Sequence, residues 1–485
     1  MNFYRCATVT ALVGTTVTNL AVADKKPNVV VIISDDLHST GLSYTGGKVK
    51  TPNIDSIFND GVFFSQSYVT WSTCAPSRAG IMTGRAQARF GYEVNTGPNE
   101  DAEAGAYGVS TDEIFLGQLM KDNGYHTSAV GKWHLGVNDQ YLPNSRGFDH
   151  WLGFKLKQYY FQKDIPSGPT HQLFRNNKPI TFDGYNTEFC AKEVCSIIKE
   201  NAEKEQPFFI YYSPKNVHAP VVVPESYIPE GGSEYDGMVA ALDVTVGTVL
   251  NQLKASNVDD NTLVIFINDN GGTKINGLKQ INPPYRGKKS GMFEGGLRVA
   301  FGMKWPGKIK PGTRYDKVVS SLDIVPTVVA AVGGTLPTDR EYDGVDLLPY
   351  INGTNNGKPH DTIIWRGNKG HAIRMGNYKL VWQSQSDTGG KGGLLNFKVR
   401  KEGGYNKPML FDLSKDIGEK NDIAKQKPEV VQQMIKLIDA YDVKMAESQA
   451  KTTIPYGMST GSKAKAGKRA EIGKKGAFKK NKRKK

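Results

Sequence analysis

The sequence predicts an α/β fold: a mostly parallel central sheet flanked by helices, with a smaller C-terminal unit of antiparallel sheet plus helix. Three observations carry that prediction. Short β-rich runs alternate with helical patterns over most of the 485 residues, as a parallel sheet covered by helices requires. Four of the runs end in polar residues that share one edge of such a sheet. After about residue 340 the character changes, to paired short strands and one long helical pattern.

Residues 1–23 open with Met1 to Arg5, pass through a Thr-rich, mildly apolar run and close on Ala21-Val22-Ala23. That small-x-small ending predicts a signal peptide and a mature chain from Asp24, secreted or periplasmic. Thr and Asn interrupt the segment, and nowhere is there an uninterrupted apolar run of about 18 residues, so no transmembrane anchor is expected. Strands are predicted at Asn28–Ser34, His126–Lys132, Pro207–Ser213, Thr262–Asn268 and Arg298–Trp305, each bounded by polar or turn residues. Helices are predicted at Thr51–Asp60, Thr111–Asn123, Phe189–Glu205 and around Asp236–Ala255. Beyond residue 340, DTIIWRG, HAIRMGNYKLVWQ and KPMLFDL read as antiparallel strands broken by a Gly-rich insert (Gly389 to Gly404), and PEVVQQMIKLIDAYDVKM as a helix lying on them. The expected domains are a signal peptide over 1–23, a catalytic domain over 24–340, an α+β subdomain over 341–455 and a basic, disordered tail over 456–485.

The tail explains the charge. The chain is formally +14, but from Gly461 onward twelve Lys or Arg face one Glu, which leaves only +3 for the rest. The basicity is therefore local, and no nucleic-acid partner is expected; the tail is a solvated extension or a contact for an anionic surface. Cleavage of the leader would leave three cysteines. Cys190 falls on a helical stripe with Val194, Ile197 and Ile198, while Cys195, five positions on, points well away, so a bond between them is geometrically poor and both are expected to be small buried hydrophobes. Cys74 stands apart, in the polar stretch WSTCAPSRAGIMTGR.

Asp35-Asp36 comes directly after the first strand, Lys132 and His134 end the second, His218 lies past the third, and Asp269-Asn270 ends the fourth. Open α/β sheets place ligands at the carboxyl ends of their strands. Three carboxylates and one amide oxygen are hard ligands suited to Ca²⁺ or Mg²⁺, and the carboxylates would repel one another without a cation. Arg78, Lys132, His134, His218 and a lysine of RGKKSGMFEGG add more positive charge than a structural metal needs. A hard cation among fixed positive side chains suits a tetrahedral oxyanion, sulfate or phosphate.

At these residues the sequence resembles the type I sulfatases, which have the alkaline-phosphatase-like fold. CAPSR at 74–78 followed by Thr83-Gly84-Arg85 is similar to their signature, and the likeness runs through PNVVVIISDD, TPNIDSIFNDGVFFSQSYV, GYHTSAVGKWHLG, RGFDHWLGF, PFFIYYSPKNVHAP, VIFINDNGG, MFEGGLRV, RMGNYKLVW and LFDLSKDIGEKNDIA. The resemblance implies that a maturation enzyme oxidises Cys74 to formylglycine, whose hydrate is the nucleophile. It implies Ca²⁺ held by Asp35, Asp36, Asp269, Asn270 and residue 74; Arg78 holding the hydrate; Lys132 and His134 fixing hydrate and sulfate; and His218 on the leaving side. Counting five positions back from Glu294 selects Lys289 over Lys288 as the second lysine, although Ser290 stands where the family more often has glycine. The C-terminal subdomain is expected to shape the substrate pocket, with Trp365, His371 and Arg374 as candidates that have structural readings as well. Aromatic loops such as Gln158-Tyr159-Tyr160-Phe161 and the export signal point to a sulfated polysaccharide or oligosaccharide. The alternatives are a phosphodiester or phosphonate ester hydrolase of the same superfamily, and a non-catalytic polyanion binder.

Overall fold

The computed structural model describes residues 25–95, 108–155, 157–168, 171–275, 281–367, 370–383 and 408–453. The expected signal peptide, Gly-rich insert and basic tail lie outside the described residues.

The strand β1 (Asn28–Ser34) is the axis of the molecule, buried along its whole length. The other strands of its sheet are β2 (Val62–Phe64), β4 (His126–Gly131), β5 (His150–Phe154), β6 (Leu173–Arg175), β7 (Lys178–Ile180), β8 (Phe208–Ser213), β9 (Thr262–Asn268), β10 (Phe301–Lys304) and β11 (Thr313–Tyr315), with β3 (Ser67–Tyr68) and β12 (Val319–Ser320) forming a separate pair. The order is β11-β2-β10-β9-β1-β8-β4-β5-β6-β7. β1 runs parallel to β8 and β9, β8 to β4 and β4 to β5, while β10 and the β6-β7 edge are antiparallel.

Period-two alternation sends the side chains of β1 to two cores. Val29, Val31 and Ile33 meet α2 (Cys74–Thr83), α3 (Leu116–Asp122) and α7 (Ile324–Ala331). Val30 and Ile32 meet α1 (Pro52–Asn59), α4 (Asn186–Glu203) and α5 (Glu234–Ala255) on the opposite face. Beyond α6 (Glu294–Leu297) and α8 (Leu348–Ile351), the antiparallel strands β13 (Thr362–Gly367), β14 (Gly370–Met375), β15 (Tyr378–Gln383) and β16 (Met409–Asp412) form a second sheet. One face of it packs Trp365, Ala372, Val381 and Phe411 onto Tyr68, Trp71 and Phe293 of the larger unit. The other face packs Ile373, Leu380 and Leu410 under Met434 and Ile438 of α9 (Pro428–Ala450).

The predicted fold class is therefore the one observed, with differences at particular ends. The helix expected from Thr111 begins only at Leu116. Arg146 is the reason: its guanidinium donates to the carbonyls of Ser110 and Glu113, acceptors that a helix from Thr111 would occupy. The strand expected at Arg298–Trp305 is confined to Phe301–Lys304, because Arg298 instead turns to Glu294 and the Ser65 carbonyl. α4 starts at Asn186 and α5 at Glu234, the latter under a capping box of Ser233 and Asp236. Cys190 is buried as expected, but Cys195 is only partly buried, its sulfur 3.7 Å from the Thr248 carbonyl. Among the described residues no helix is long and apolar enough to cross a membrane.

Candidate active site

Because β1, β4, β8 and β9 run parallel, the loops leaving their carboxyl ends all emerge at one edge of the sheet. Asp35 and Asp36 leave β1, Lys132 and His134 leave β4, His218 lies beyond β8, and Asp269 and Asn270 leave β9. Asp36 takes a left-handed backbone (φ 59°), a conformation that a short polar side chain tolerates. Its N–H donates to Asp269 Oδ1 at 3.3 Å, and Asn270 Nδ2 donates to Asp36 Oδ1 at 2.8 Å. The carboxylates of two neighbouring parallel strands are thereby fixed against each other.

Cys74 reaches this group from the first residue of α2, and Pro76 lies in the same first turn, where its missing N–H leaves no bond unmade. Its fully buried sulfur lies 3.5 Å from Asp35 Oδ1, 4.0 Å from Asp36 Oδ1 and 3.1 Å from Lys289 Nζ. The N–H of Ala75 is taken by Asn95 Oδ1 at 3.1 Å. Burial, with the charges of Asp269 and Asp35, pushes the thiol pKa up to about 12, so as a plain cysteine it would hold its proton.

Each carboxylate has a cation. Lys132 Nζ pairs with Asp35, and Lys289 Nζ stands 2.6 Å from Asp36 Oδ1. Arg78, fully buried, directs Nε and Nη2 to Asp269 Oδ2, both at 2.9 Å. Its remaining nitrogen, Nη1, donates to Ser213 Oγ at 2.6 Å, to the Tyr211 hydroxyl at 2.8 Å and to the Lys132 carbonyl at 3.3 Å. Burial alone would raise the Asp35 pKa, but Lys132 above all, with His218, Arg78 and Lys289, holds it well below the carboxylate range. At Asp269 burial wins, with help from Asp35, and pushes the pKa up to about 6. Burial opposes the charge on Lys289, yet Cys74 and Asp36 beside it hold its pKa well above the usual value. The Lys289 ammonium is thus kept by its neighbours.

His218 Nε2 lies 3.7 Å from Asp36 Oδ2, and its Nδ1 is 2.7 Å from the Ala219 carbonyl oxygen. Burial holds the imidazole pKa below its ordinary value, against the pull of Asp35. His134 stands two residues beyond Lys132, also left-handed (φ 62°), with its carbonyl accepting from the Tyr92 hydroxyl at 3.3 Å. Ser290, after Lys289, has φ 72°, which gives the physical reason for glycine being usual there.

The donor set fits a hard divalent cation. Asp35, Asp36, Cys74 and His218 have potential ligand atoms within 4.8 Å of one another, and Asp269 and Asn270 are bonded directly to Asp36. Among the described residues no hydrogen-bond donor is directed at Oδ1 of Asn270, a buried acceptor. A neutral oxygen among carboxylates is a ligand type that Ca²⁺ or Mg²⁺ accepts.

Sequence reasoning missed the supports of this group. Tyr211 and Ser213 hold Arg78; their common parity on β8 and their place at its end were the readable signal. Lys379 of β15 is fully buried between Glu294 (2.9 Å) and Glu419 (3.1 Å), and Glu419 also accepts the Glu294 N–H at 2.7 Å. The second sheet is thereby bolted to the Glu-Gly-Gly turn that comes after Lys289. Trp365, His371 and Arg374 are structural: Trp365 donates to the Val69 carbonyl, His371 faces Asp442, and Arg374 pairs with the Tyr68 hydroxyl and Gln66. Tyr160 packs as well, stacked on Tyr185.

Known proteins share this architecture. The sulfatase family model matches residues 27–334, and the model for the C-terminal region of aryl-sulfatase matches residues 358–461. The chain is 30% identical over 430 residues to N-acetylgalactosamine-6-sulfatase of Sus scrofa, with 82% of each chain covered. It is 29% identical over 491 residues to the N-acetylgalactosamine-6-O-sulfatase of Bacteroides thetaiotaomicron, covering 86% of this chain and 93% of that one. Among solved structures it is similar to Ps i-CgsB in complex with k-i-k-neocarrahexaose, with a TM-score of 0.76 and 29% identity over 86% of this chain and 93% of the other.

Proposed function

The chain belongs to the sulfatase family and is a sulfuric ester hydrolase, and from that premise we propose that it removes sulfate from a sulfated polysaccharide or its oligosaccharides outside the cytoplasm. In this reading Cys74 is converted to formylglycine by a maturation enzyme, and Asp35, Asp36, Asp269, Asn270 and residue 74 hold Ca²⁺. A catalytic domain over 24–340 carries the chemistry, and the subdomain over 341–455 helps to shape the substrate pocket. The observation that carries the reading is the position of the Cys74 sulfur, 3.5 Å from Asp35, 4.0 Å from Asp36 and 3.1 Å from Lys289. The substrate class is supported by relatives named for N-acetylgalactosamine 6-sulfate and by a neighbour bound to neocarrahexaose.

A bound calcium ion supplies charge stabilisation to the ester oxygens. Formylglycine, as its hydrate, would supply two hydroxyls on one carbon, one oxygen to attack the sulfur and a second to restore the aldehyde as sulfate leaves with the first. The chain's own groups do the rest. Lys132 and Lys289 keep their ammonium groups at the attacked position and meet the charge that develops on the sulfuryl oxygens. Arg78 fixes Asp269 through two nitrogens on one oxygen. His218, as the imidazolium, gives its Nε2 proton to the departing sugar oxygen, a poor leaving group that needs one.

The test is sulfate release from a panel of sulfated glycans, with matched sulfate and phosphate esters of nitrophenol assayed beside it. Release from glycans with a preference for sulfate upholds the reading. A preference for phosphate diesters or phosphonates overturns it.

A further inference from the structure

Lys215 belongs to no function assigned so far, and its surroundings are unusual for a lysine. It is 5% exposed, and among the described residues no carboxylate pairs with it. Its Nζ instead donates to two backbone carbonyls, of His218 at 3.1 Å and of Ala219 at 2.9 Å, and lies 3.8 Å from the centre of the Tyr160 ring. From the same side the Tyr160 hydroxyl donates to the His218 carbonyl at 2.7 Å and to that of Lys215 at 3.3 Å. The turn itself is closed by the His218 N–H on the Lys215 carbonyl at 2.9 Å. Two buried side chains are thus spent on the backbone of one histidine.

The Ala219 carbonyl links them to the imidazole. It accepts from Lys215 Nζ and stands 2.7 Å from His218 Nδ1. A carbonyl has no proton to give, so Nδ1 must be the donor; one ring proton is held there, and the second proton of the imidazolium, on Nε2, is the one that faces the site. Nε2 is the atom beside Asp36.

We infer that Lys215, together with Tyr160, is a positioning residue that fixes the orientation of the His218 ring, so that the Nε2 proton of its imidazolium is the one that meets the leaving oxygen. This rests on the reading of His218 as leaving-group acid. A hydrogen bond that directs an imidazole matters only in steps where that imidazole moves a proton. Its loss should therefore be felt on sugar sulfates and hardly on an activated ester such as nitrophenyl sulfate, which departs nearly unaided.

The experiment is a cycle of Lys215→Met, His218→Ala and the double variant, with kcat/KM measured on a sulfated oligosaccharide that the wild type hydrolyses and on nitrophenyl sulfate. Lys215→Met should lose roughly 10–100-fold on the oligosaccharide, the scale of a misaimed catalytic group, and less than about threefold on the nitrophenyl ester. In the His218→Ala background it should add nothing on either substrate, since it acts through that ring. An equal loss on both esters, or a further loss in the double variant, overturns the proposal. If His218→Ala alone harms both esters alike, the reading of His218 as acid falls, and the cycle still decides whether Lys215 works through it. Should Lys215→Met fail to fold, Tyr160→Phe removes one hydroxyl from the same carbonyls and keeps the ring. It should show a smaller loss of the same selectivity, again absent when His218 is alanine, and a loss that persists there overturns the proposal.

Discussion

Lys289 Nζ stands 3.1 Å from the Cys74 sulfur and 2.6 Å from Asp36 Oδ1, in reach of both the reactive position and a carboxylate. Its neighbour Lys288 has a different place, its carbonyl accepting the Gly291 N–H to close the turn. Lys289→Ala should therefore lower kcat/KM by roughly 10²–10³-fold, the range for one preorganised stabilising group. Lys288→Ala should stay within about twofold. Rates with nitrophenyl sulfate decide this, and the reverse order would assign the site to the wrong lysine.

Cys74 predicts a mass. In active protein the peptide containing residue 74 should be lighter than its cysteine form, and Cys74→Ala should fold and be inactive. Cys74→Ser should be inactive as well when made in cells that mature only cysteine, because a serine hydroxyl offers one oxygen where two are used. Fully active protein carrying an unmodified thiol in that peptide would remove formylglycine from the mechanism.

Three carboxylates and the Asn270 oxygen predict a dependence on metal. Chelation should abolish activity, and calcium should restore it while raising the melting temperature, since a ligand that binds only the folded state stabilises it by mass action. Asp36→Ala should lose both responses. Activity that survives exhaustive chelation, with no shift in melting on adding calcium, would count against the metal site.

His360 gives a prediction in pH. Its Nε2 lies 2.8 and 3.0 Å from the two oxygens of Asp323, a buried residue whose carboxylate also accepts the Ser320 and Val345 N–H groups. Burial would lower the imidazole pKa, but Asp323 prevails and holds it above the ordinary value. The stabilisation is then complete below the unfolded value of about 6.5 and is lost as pH rises through the higher folded value. His360→Gln should lose about 1.5–3 kcal/mol at pH 5–6, the scale of a hydrogen bond to a charged group. The gap in melting temperature from the wild type should narrow above neutrality; one that widens with pH would reverse the sign of the coupling.

The part of the fold legible in the chain was the part carried by local pattern. Apolar runs such as NVVVIIS, ending in Asp-Asp, located the strands and the edge where their loops meet, and the structure brings Asp35, Asp36, Cys74, Arg78, Lys132, His218, Lys289, Asp269 and Asn270 together there. Lys215, Tyr160 and Lys379 were not legible, because each gains its meaning from a neighbour brought in by sheet register or by docking of the second sheet. A lysine in PKNVHAP looks solvated until Tyr160 is seen to cover it. Trp365 and Arg374, candidates with a structural reading as well, have the structural one here: their polar atoms turn to the Val69 carbonyl and the Tyr68 hydroxyl. Helix starts failed where a distant side chain, Arg146, took the carbonyls a helix would use.

The place of β1 between β8 and β9 also bears on how the protein is made. Asp36 and Asp269, joined across the strand ends, are 233 positions apart in the chain. During synthesis β1 emerges early, all seven of its residues destined for burial, and neither partner strand exists until residues 208–213 and then 262–268 have been made. Through that interval it is an apolar strand with two open edges, a template for pairing with another nascent chain. The same topology that draws distant carboxylates together leaves the ribosome-bound chain with an exposed apolar strand, and a holding chaperone or slow, cool expression should raise the yield of folded enzyme.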